Sequence, residues 1–260
     1  VYNGLFKLDF ENLRIASVLG RIGLAWSIAA VLYLNFGVKT RAAIAVAVLA
    51  GYGALSALVA APDAAGAGPL TFEGNLAGYI DRQFLPGKLI YGSFDPEGLL
   101  STVPAVVTAM LGMFTGEFVR RGDIRGGRKT LWMAAAAAAL LAAGLAFSGV
   151  LPVNKKLWSS TFVCVVGAYS LGMFALFYYL IDVRGWRRWT LFFRVVGLNS
   201  ITIYLAQRIV GFGRISDFFL GGIASKCPEA VAAVISSAGY VAVCWLFLYF
   251  LYRKNVFLKV

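Results

Sequence analysis

The sequence predicts an all-α, polytopic membrane protein of about seven transmembrane helices, and three observations predict it. Of its 260 residues, 60% are hydrophobic and only 14% charged, where a soluble domain carries about a quarter charged residues. Its apolar stretches recur at close to the roughly 20 residues that a helix needs to cross a bilayer. The charges between those stretches fall into two unequal populations. Lipid offers the backbone no hydrogen-bond partners, so only helices or closed barrels can span it, and the alternating short segments of a barrel are not present.

The expected spans, in order, are 16–38, 42–61, 99–119, 130–150, 159–181, 192–212 and 230–251. If successive connections alternate between the two sides, one side collects thirteen bases and three acids, a balance of +10. The other collects nine of each, while Arg21 and Arg194 fall inside spans. An error in the span count would scramble that segregation. By the positive-inside rule the +10 side is cytoplasmic, which puts the C-terminus inside and the residues before Ala16 outside. The net charge of +12 therefore serves membrane topology, and the expected partner is a lipid bilayer and not nucleic acid.

The connections differ in character. Those expected inside, such as 120–129 and 182–188, are short and basic. The segment expected outside at about 62–98 is long, rich in Gly and Pro, and holds five acids against two bases. A connection of that length is usually functional or disordered. Within it, Gly78-Tyr79-Ile80-Asp81-Arg82 reads as a short helix lying on the membrane. The outer loop 151–158 is compact, and a third outer loop is expected at about 213–229. The whole of 1–260 reads as a single transmembrane domain. It opens on Val1, and Val1-Tyr2-Asn3-Gly4-Leu5-Phe6 resembles the end of an earlier apolar segment, so further sequence is expected upstream. Cys164 and Cys244 lie within spans, Cys227 stands alone outside, and there is no histidine. Neither a disulfide framework nor a metal site is expected.

Three places can carry chemistry. Arg14 and Arg21 are seven residues apart, hence on one helical face. An arginine as deep as Arg21 either snorkels to the interface or lines a polar pocket. Asp95 and Glu97 sit at the start of the third span, where acids favour the positive end of the helix dipole. They also lie on the same side as Arg21, so they can pair with Arg14 or Arg21 or receive a cationic ligand. Asn199, in the sixth span, begins a polar stripe that continues through Thr202, Gln207 and Arg208. Such a stripe bonds neighbouring helices or lines a passage. Trp158, Trp186 and Trp189, at span ends, fit an aromatic belt.

On these motifs the chain resembles the membrane acyltransferases related to heparan-α-glucosaminide N-acetyltransferase, including bacterial inner-membrane relatives. The stretches that carry the resemblance are Leu13-Arg14-Ile15 through Gly20-Arg21-Ile22, Gly78 to Arg82, and Asp95-Pro96-Glu97-Gly98-Leu99-Leu100-Ser101-Thr102. Pro152-Val153-Asn154-Lys155-Lys156-Leu157-Trp158, Asp182-Val183-Arg184-Gly185, Gly197-Leu198-Asn199-Ser200-Ile201 and Tyr252-Arg253-Lys254-Asn255-Val256-Phe257 complete the series. The resemblance implies transfer of an acetyl group from cytoplasmic acetyl-CoA to an amino sugar across the membrane. It implies a sugar pocket lined by Arg21, Asp95, Glu97, Asn154 and Asn199, and cofactor-phosphate contacts at Arg120, Arg121 and Lys129. It also implies a catalytic histidine upstream of this chain, location in a bacterial inner membrane, and pairing as a homodimer or within a larger complex. A non-catalytic accessory subunit and an amino-sugar permease, the latter gated near the Gly-rich stretch 211–222, are the alternative readings.

Overall fold

The computed structural model describes residues 14–258, which divide into two compact units, one ending at Arg184 and the other beginning at Gly185. Helices dominate both, and among the described residues the only β features are the isolated bridges Arg14–Gly87 and Ala60–Asn75. The all-α membrane architecture is as expected. Among the described residues six helices are long and apolar enough to cross a bilayer, close to the seven spans expected.

The first unit holds α1 (Val18–Asn35), α2 (Val38–Leu58), the short α3 (Leu76–Phe84), α4 (Leu99–Arg120), α5 (Gly126–Ala146) and α6 (Ser160–Tyr178). α6 runs on into a π-helical turn, Tyr179–Val183. Side chains at the boundaries start several of these. Ser17 accepts from the Gly20 N–H at 3.1 Å, Asn75 from Gly78 at 2.6 Å, and Ser159 from Phe162 at 3.2 Å, each satisfying an orphan donor of a first turn. Small residues then set the packing. Ala25, Ala29 and Ala45 of α1 and α2 meet Ala105, Val106, Val107 and Met110 of α4 in one core, with Val163 of α6. α5 lies close along α6 because Gly144 leaves room there, where a Cβ would come within 2.7 Å of Val165.

Large apolar side chains point outward from this core. Trp26 is 61% exposed, Leu34 79% and Leu58 80%. A water-soluble surface does not carry contiguous patches of this kind, and a hydrocarbon environment requires them.

At one end of the unit α2 and α4 are joined by charge. Arg41 is buried in the first turn of α2 and Glu117 lies in the last turn of α4, bonded at 2.8 and 3.0 Å. Each stands at the end of its helix that the dipole disfavours, and each compensates the other. The Arg41 guanidinium also lies 4.6 Å from the Tyr33 ring and 5.5 Å from Phe114.

The second unit departs from expectation twice. The stretch expected as one span at 192–212 is two helices, α7 (Thr190–Leu198) and α8 (Ser200–Ile209), interrupted at Asn199. The loop expected at 213–229 is largely a helix, α9 (Phe212–Ala224), followed by α10 (Glu229–Arg253). α9 is recognisable by its buried face, Phe212, Ser216 and Ala224, spaced in multiples of four. It lies against α10 where Gly239 admits it, since a Cβ there would meet Ser216 Oγ at 2.4 Å.

The break at Asn199 has a partner. The side chain is buried, its Nδ2 donates to the Val256 carbonyl at 3.2 Å, and its Oδ1 accepts from Thr202 Oγ1 at 3.1 Å and from the Leu258 N–H at 3.4 Å. The residue that interrupts the helix thus holds the chain that follows α10. Asn199→Ala leaves backbone groups of the tail unpaired, at a cost of about 1–3 kcal/mol. The expected result is a lower Tm together with faster amide exchange at Leu258. Wild-type values for both in the variant would refute the pinning role.

Candidate functional site

The segment between α2 and α4 folds onto the start of α4, and charged residues hold it there. Asp95 is the centre. Its carboxylate, with no exposed surface, accepts from Arg14 Nε at 2.7 Å and Nη2 at 2.5 Å, and from the backbone N–H groups of Ile90 at 3.2 Å and Glu97 at 3.0 Å. Arg14 Nη2 reaches Glu97 Oε2 as well. Burial pushes the Asp95 carboxyl up, but the Arg14 bonds and the two backbone donors outweigh it and hold the pKa below the ordinary aspartate value. The same bonds, set against the loss of solvent, raise the Arg14 guanidinium.

Asp81 of α3 completes the arrangement from the other direction. Its two oxygens accept from the N–H of Leu99 at 2.9 Å and of Asp95 at 3.2 Å. Gly98, at the N-cap of α4, offers no side chain, so the cap comes from a different helix. The fit is close: a Cβ on Gly98 would lie 2.1 Å from Asp81 Oδ2. Burial pushes the Asp81 carboxyl up to about 6 despite those donors. Arg82, the next residue, clamps Asp63 at 2.6 and 2.9 Å and the Ser93 carbonyl at 2.5 Å, which ties both ends of the segment to α3.

Arg21 enters this cluster from α1. It is buried, and its Nη2 donates to Ser101 Oγ at 2.5 Å and to the Pro96 carbonyl. Its Nε, equally buried, has no partner among the described residues. The guanidinium lies 4.6 Å from the ring of Trp158. That tryptophan has φ +52°, a left-handed backbone that a bulky residue adopts only under constraint. Its Nε1 donates to Thr108 Oγ1 at 3.3 Å, and the preceding carbonyl, of Leu157, accepts from Tyr52 at 2.5 Å. Trp158, expected as an aromatic-belt residue, is therefore part of this cluster.

The structure brings Arg21, Asp95 and Glu97 together, and among them Asp95 is fully engaged by the protein. Asn154 lies in the same unit as a turn-former, its Oδ1 accepting from the Lys156 N–H at 2.8 Å and Leu157 at 3.4 Å. Asn199 belongs to the second unit and is occupied with the tail. Arg120 and Arg121 are exposed, Arg121 bonded to Asp123 at 2.6 Å. Lys129 is buried and donates to the Val119 carbonyl at 2.6 Å, the end of α4. Sequence reasoning missed Asp81 as a site residue, although its spacing from Ala77 and Gly78 puts it on the buried face of α3. It also counted Arg41 as a loop charge.

Compared with known proteins, the chain is similar to heparan-alpha-glucosaminide N-acetyltransferase of Homo sapiens, 29% identical over 208 residues. It is likewise similar to the Mus musculus enzyme of that name, 27% identical over 205 residues. Each alignment covers 72% of this chain and 30% of the relative, so the chain spans less than a third of the curated relatives it matches. No protein-family model matches it. The resemblance read from the motif series thus holds across 72% of the chain.

Removing Arg14 leaves Asp95 buried without its counter-charge, so Arg14→Met is expected to destabilise the first unit by about 3–5 kcal/mol; an unchanged unfolding midpoint would rule the pair out as an anchor. Asp81 imposes a pH dependence of opposite sense to Asp95. Its folded pKa, about 6, exceeds the ordinary 3.8, so the folded state binds the extra proton and stability falls as pH rises from about 4 to about 6. Asp95, held low, contributes stability above 3.8 that is lost on further acidification. Thermal unfolding of wild type and Asp81→Asn across that range should show the wild-type slope between pH 4 and 6 abolished in the variant. Parallel curves would contradict the assignment.

Proposed function

We propose that this chain is part of a membrane N-acyltransferase that moves an acetyl group from acetyl-CoA, on the cytoplasmic side, to the amine of a glucosamine-type sugar on the outer side of a bacterial inner membrane. The observation that carries this reading is convergence. Four stretches that resemble the acyltransferases, far apart in sequence, meet around Arg21: the Arg14–Arg21 stretch itself, Asp81 and Arg82, Asp95 to Thr102, and Leu157–Trp158. The names of both relatives state the same activity.

In this reading the amine, bound as a cation, first gives one proton to a base; its nitrogen then attacks the thioester carbonyl, the C–N bond forms as the C–S bond breaks, and CoA leaves as a thiolate that takes up the second proton lost from nitrogen. The resemblance assigns to an upstream histidine the role of that base or of an acetyl carrier. What the present residues supply is the acceptor's seat. Glu97 keeps one carboxylate oxygen beyond its Arg14 bond, on a side chain 17% exposed, and can take a cationic amine. Arg21 Nε is a buried donor without a partner among the described residues, suited to a sugar oxygen. Asp95, Asp81 and Trp158 hold those two in place. Of the residues assigned to cofactor phosphate, exposed Arg120 and Arg121 fit the task, whereas Lys129 is committed to α4. A homodimer, in which a second copy completes the assembly, belongs to the same proposal.

The test is acetyl transfer from acetyl-CoA to glucosamine by the full-length protein in sealed vesicles. Glu97→Gln should raise KM for the amine about tenfold while KM for acetyl-CoA holds, the loss of one charge-assisted bond. Arg21→Lys should lower kcat. Unaltered kinetics in both variants would remove this cluster from the reaction, and failure of the wild type to acetylate any amino sugar would overturn the activity itself.

A further inference from the structure

A second cluster, within the second unit, is not used by that chemistry. The residues after α10 turn back on themselves, and the turn is held at several points. Asn255 has φ +54°, the left-handed cap of a helix end, and the N–H groups of Lys254, Asn255 and Val256 bond the carbonyls of Phe250, Tyr252 and Leu251 at 3.1, 3.1 and 3.0 Å. Asn199 then holds Val256 and Leu258. Between this tail and α7 lies a pocket of about 520 Å³, lined by Arg194, Leu198, Tyr252, Arg253, Asn255 and Phe257.

The charge in it is one-sided. Two arginines, both exposed, line the pocket, and among the described residues neither forms an ion pair. Among the described residues the acidic side chains of this unit are Asp217 in α9 and Glu229 at the first position of α10. Glu229 is 24 residues from Arg253 along one helix, a separation of about 36 Å at 1.5 Å per residue. Arg194 is moreover fixed on one side, its guanidinium carbon 5.8 Å from the Tyr252 ring centroid, and Tyr252 meets Phe257 edge-on at 6.3 Å. Two arginines thus line a cleft between α7 and the folded-back tail, with aromatic walls and, among the described residues, no carboxylate.

We propose that this pocket binds a phosphate group, carried by a nucleotide or by a phospholipid headgroup. The guanidinium fork matches phosphate oxygens two at a time, and a pair of forks suits a group of more than one negative charge. Tyr252, Phe257 and Leu198 offer an apolar wall for the remainder of the ligand. The proposal is independent of acyl transfer and stands or fails on binding.

The test uses the full-length protein with two kinds of probe at one fixed ionic strength. Soluble ADP and inorganic pyrophosphate are titrated against the detergent-solubilised protein. Separately, the protein is placed in phosphatidylcholine nanodiscs with and without phosphatidylglycerol, and bound lipid and Tm are read. Arg194→Ala and Arg253→Ala should each weaken the bound probe about tenfold or more, the loss of a bond to a charged group. Arg194→Lys should weaken it less. Arg128→Ala, an exposed arginine of the first unit, is the control for general surface charge. Binding of ADP or pyrophosphate that depends on Arg194 and Arg253 identifies a soluble phosphate. Dependence on phosphatidylglycerol alone identifies a headgroup. Equal weakening in Arg128→Ala, or no difference between wild type and the pocket variants, overturns the proposal.

Discussion

The first unit depends on a buried carboxylate that never reaches solvent. Asp95 gathers four donors, two from Arg14 and two from the backbone. A carboxylate can be taken out of water only when its charge and all its lone pairs are met in this way. The position of nearly everything around it follows. Arg14 is drawn in ahead of α1, the loop 90–97 is wrapped about the acid, and Glu97 is brought to the same guanidinium. Asp81 reads the arrangement from below, since one of its oxygens is bonded to the Asp95 N–H. Arg21, Pro96 and Ser101 then fall within reach of one another.

That dependence separates what was legible in the sequence from what was not. Long apolar runs fix helices in a bilayer because no other structure satisfies the backbone there, and the runs beginning near Val18, Leu99 and Glu229 gave helices with boundaries within a few residues. The pairing of Arg14 with Asp95 and Glu97 was visible as opposite charges on one side of the membrane. Asn199 was visible as a polar residue in an apolar run, but a hydropathy average takes no account of direction. It could not show that the asparagine ends one helix, begins another and turns its amide to a distant tail.

Other features were hidden for different reasons. α9 mixes Gly and Phe over only 13 residues, too short for a span and too apolar for an evident surface helix. Trp158 carries no mark of its backbone conformation, φ +52°, nor of its neighbours Arg21, Tyr52 and Thr108, three residues that local sequence does not connect to it. Arg41 reads as one more base flanking a span, and only Glu117, 76 positions later, shows why it can be buried. In each case the deciding partner is remote in sequence, which propensity and spacing do not report.

The cap that Asp81 places on α4 bears on how the chain is made. A transmembrane helix can enter the bilayer as soon as it leaves the insertion machinery, yet the first turn of α4 lacks a cap of its own. Its Leu99 N–H acquires a partner only when α3, 15 or more residues earlier, has folded and turned back over the helix end. Final packing at the start of α4 and folding of the polar loop before it are therefore coupled. A lesion in the loop would thus be felt first as a failure of packing at the start of α4.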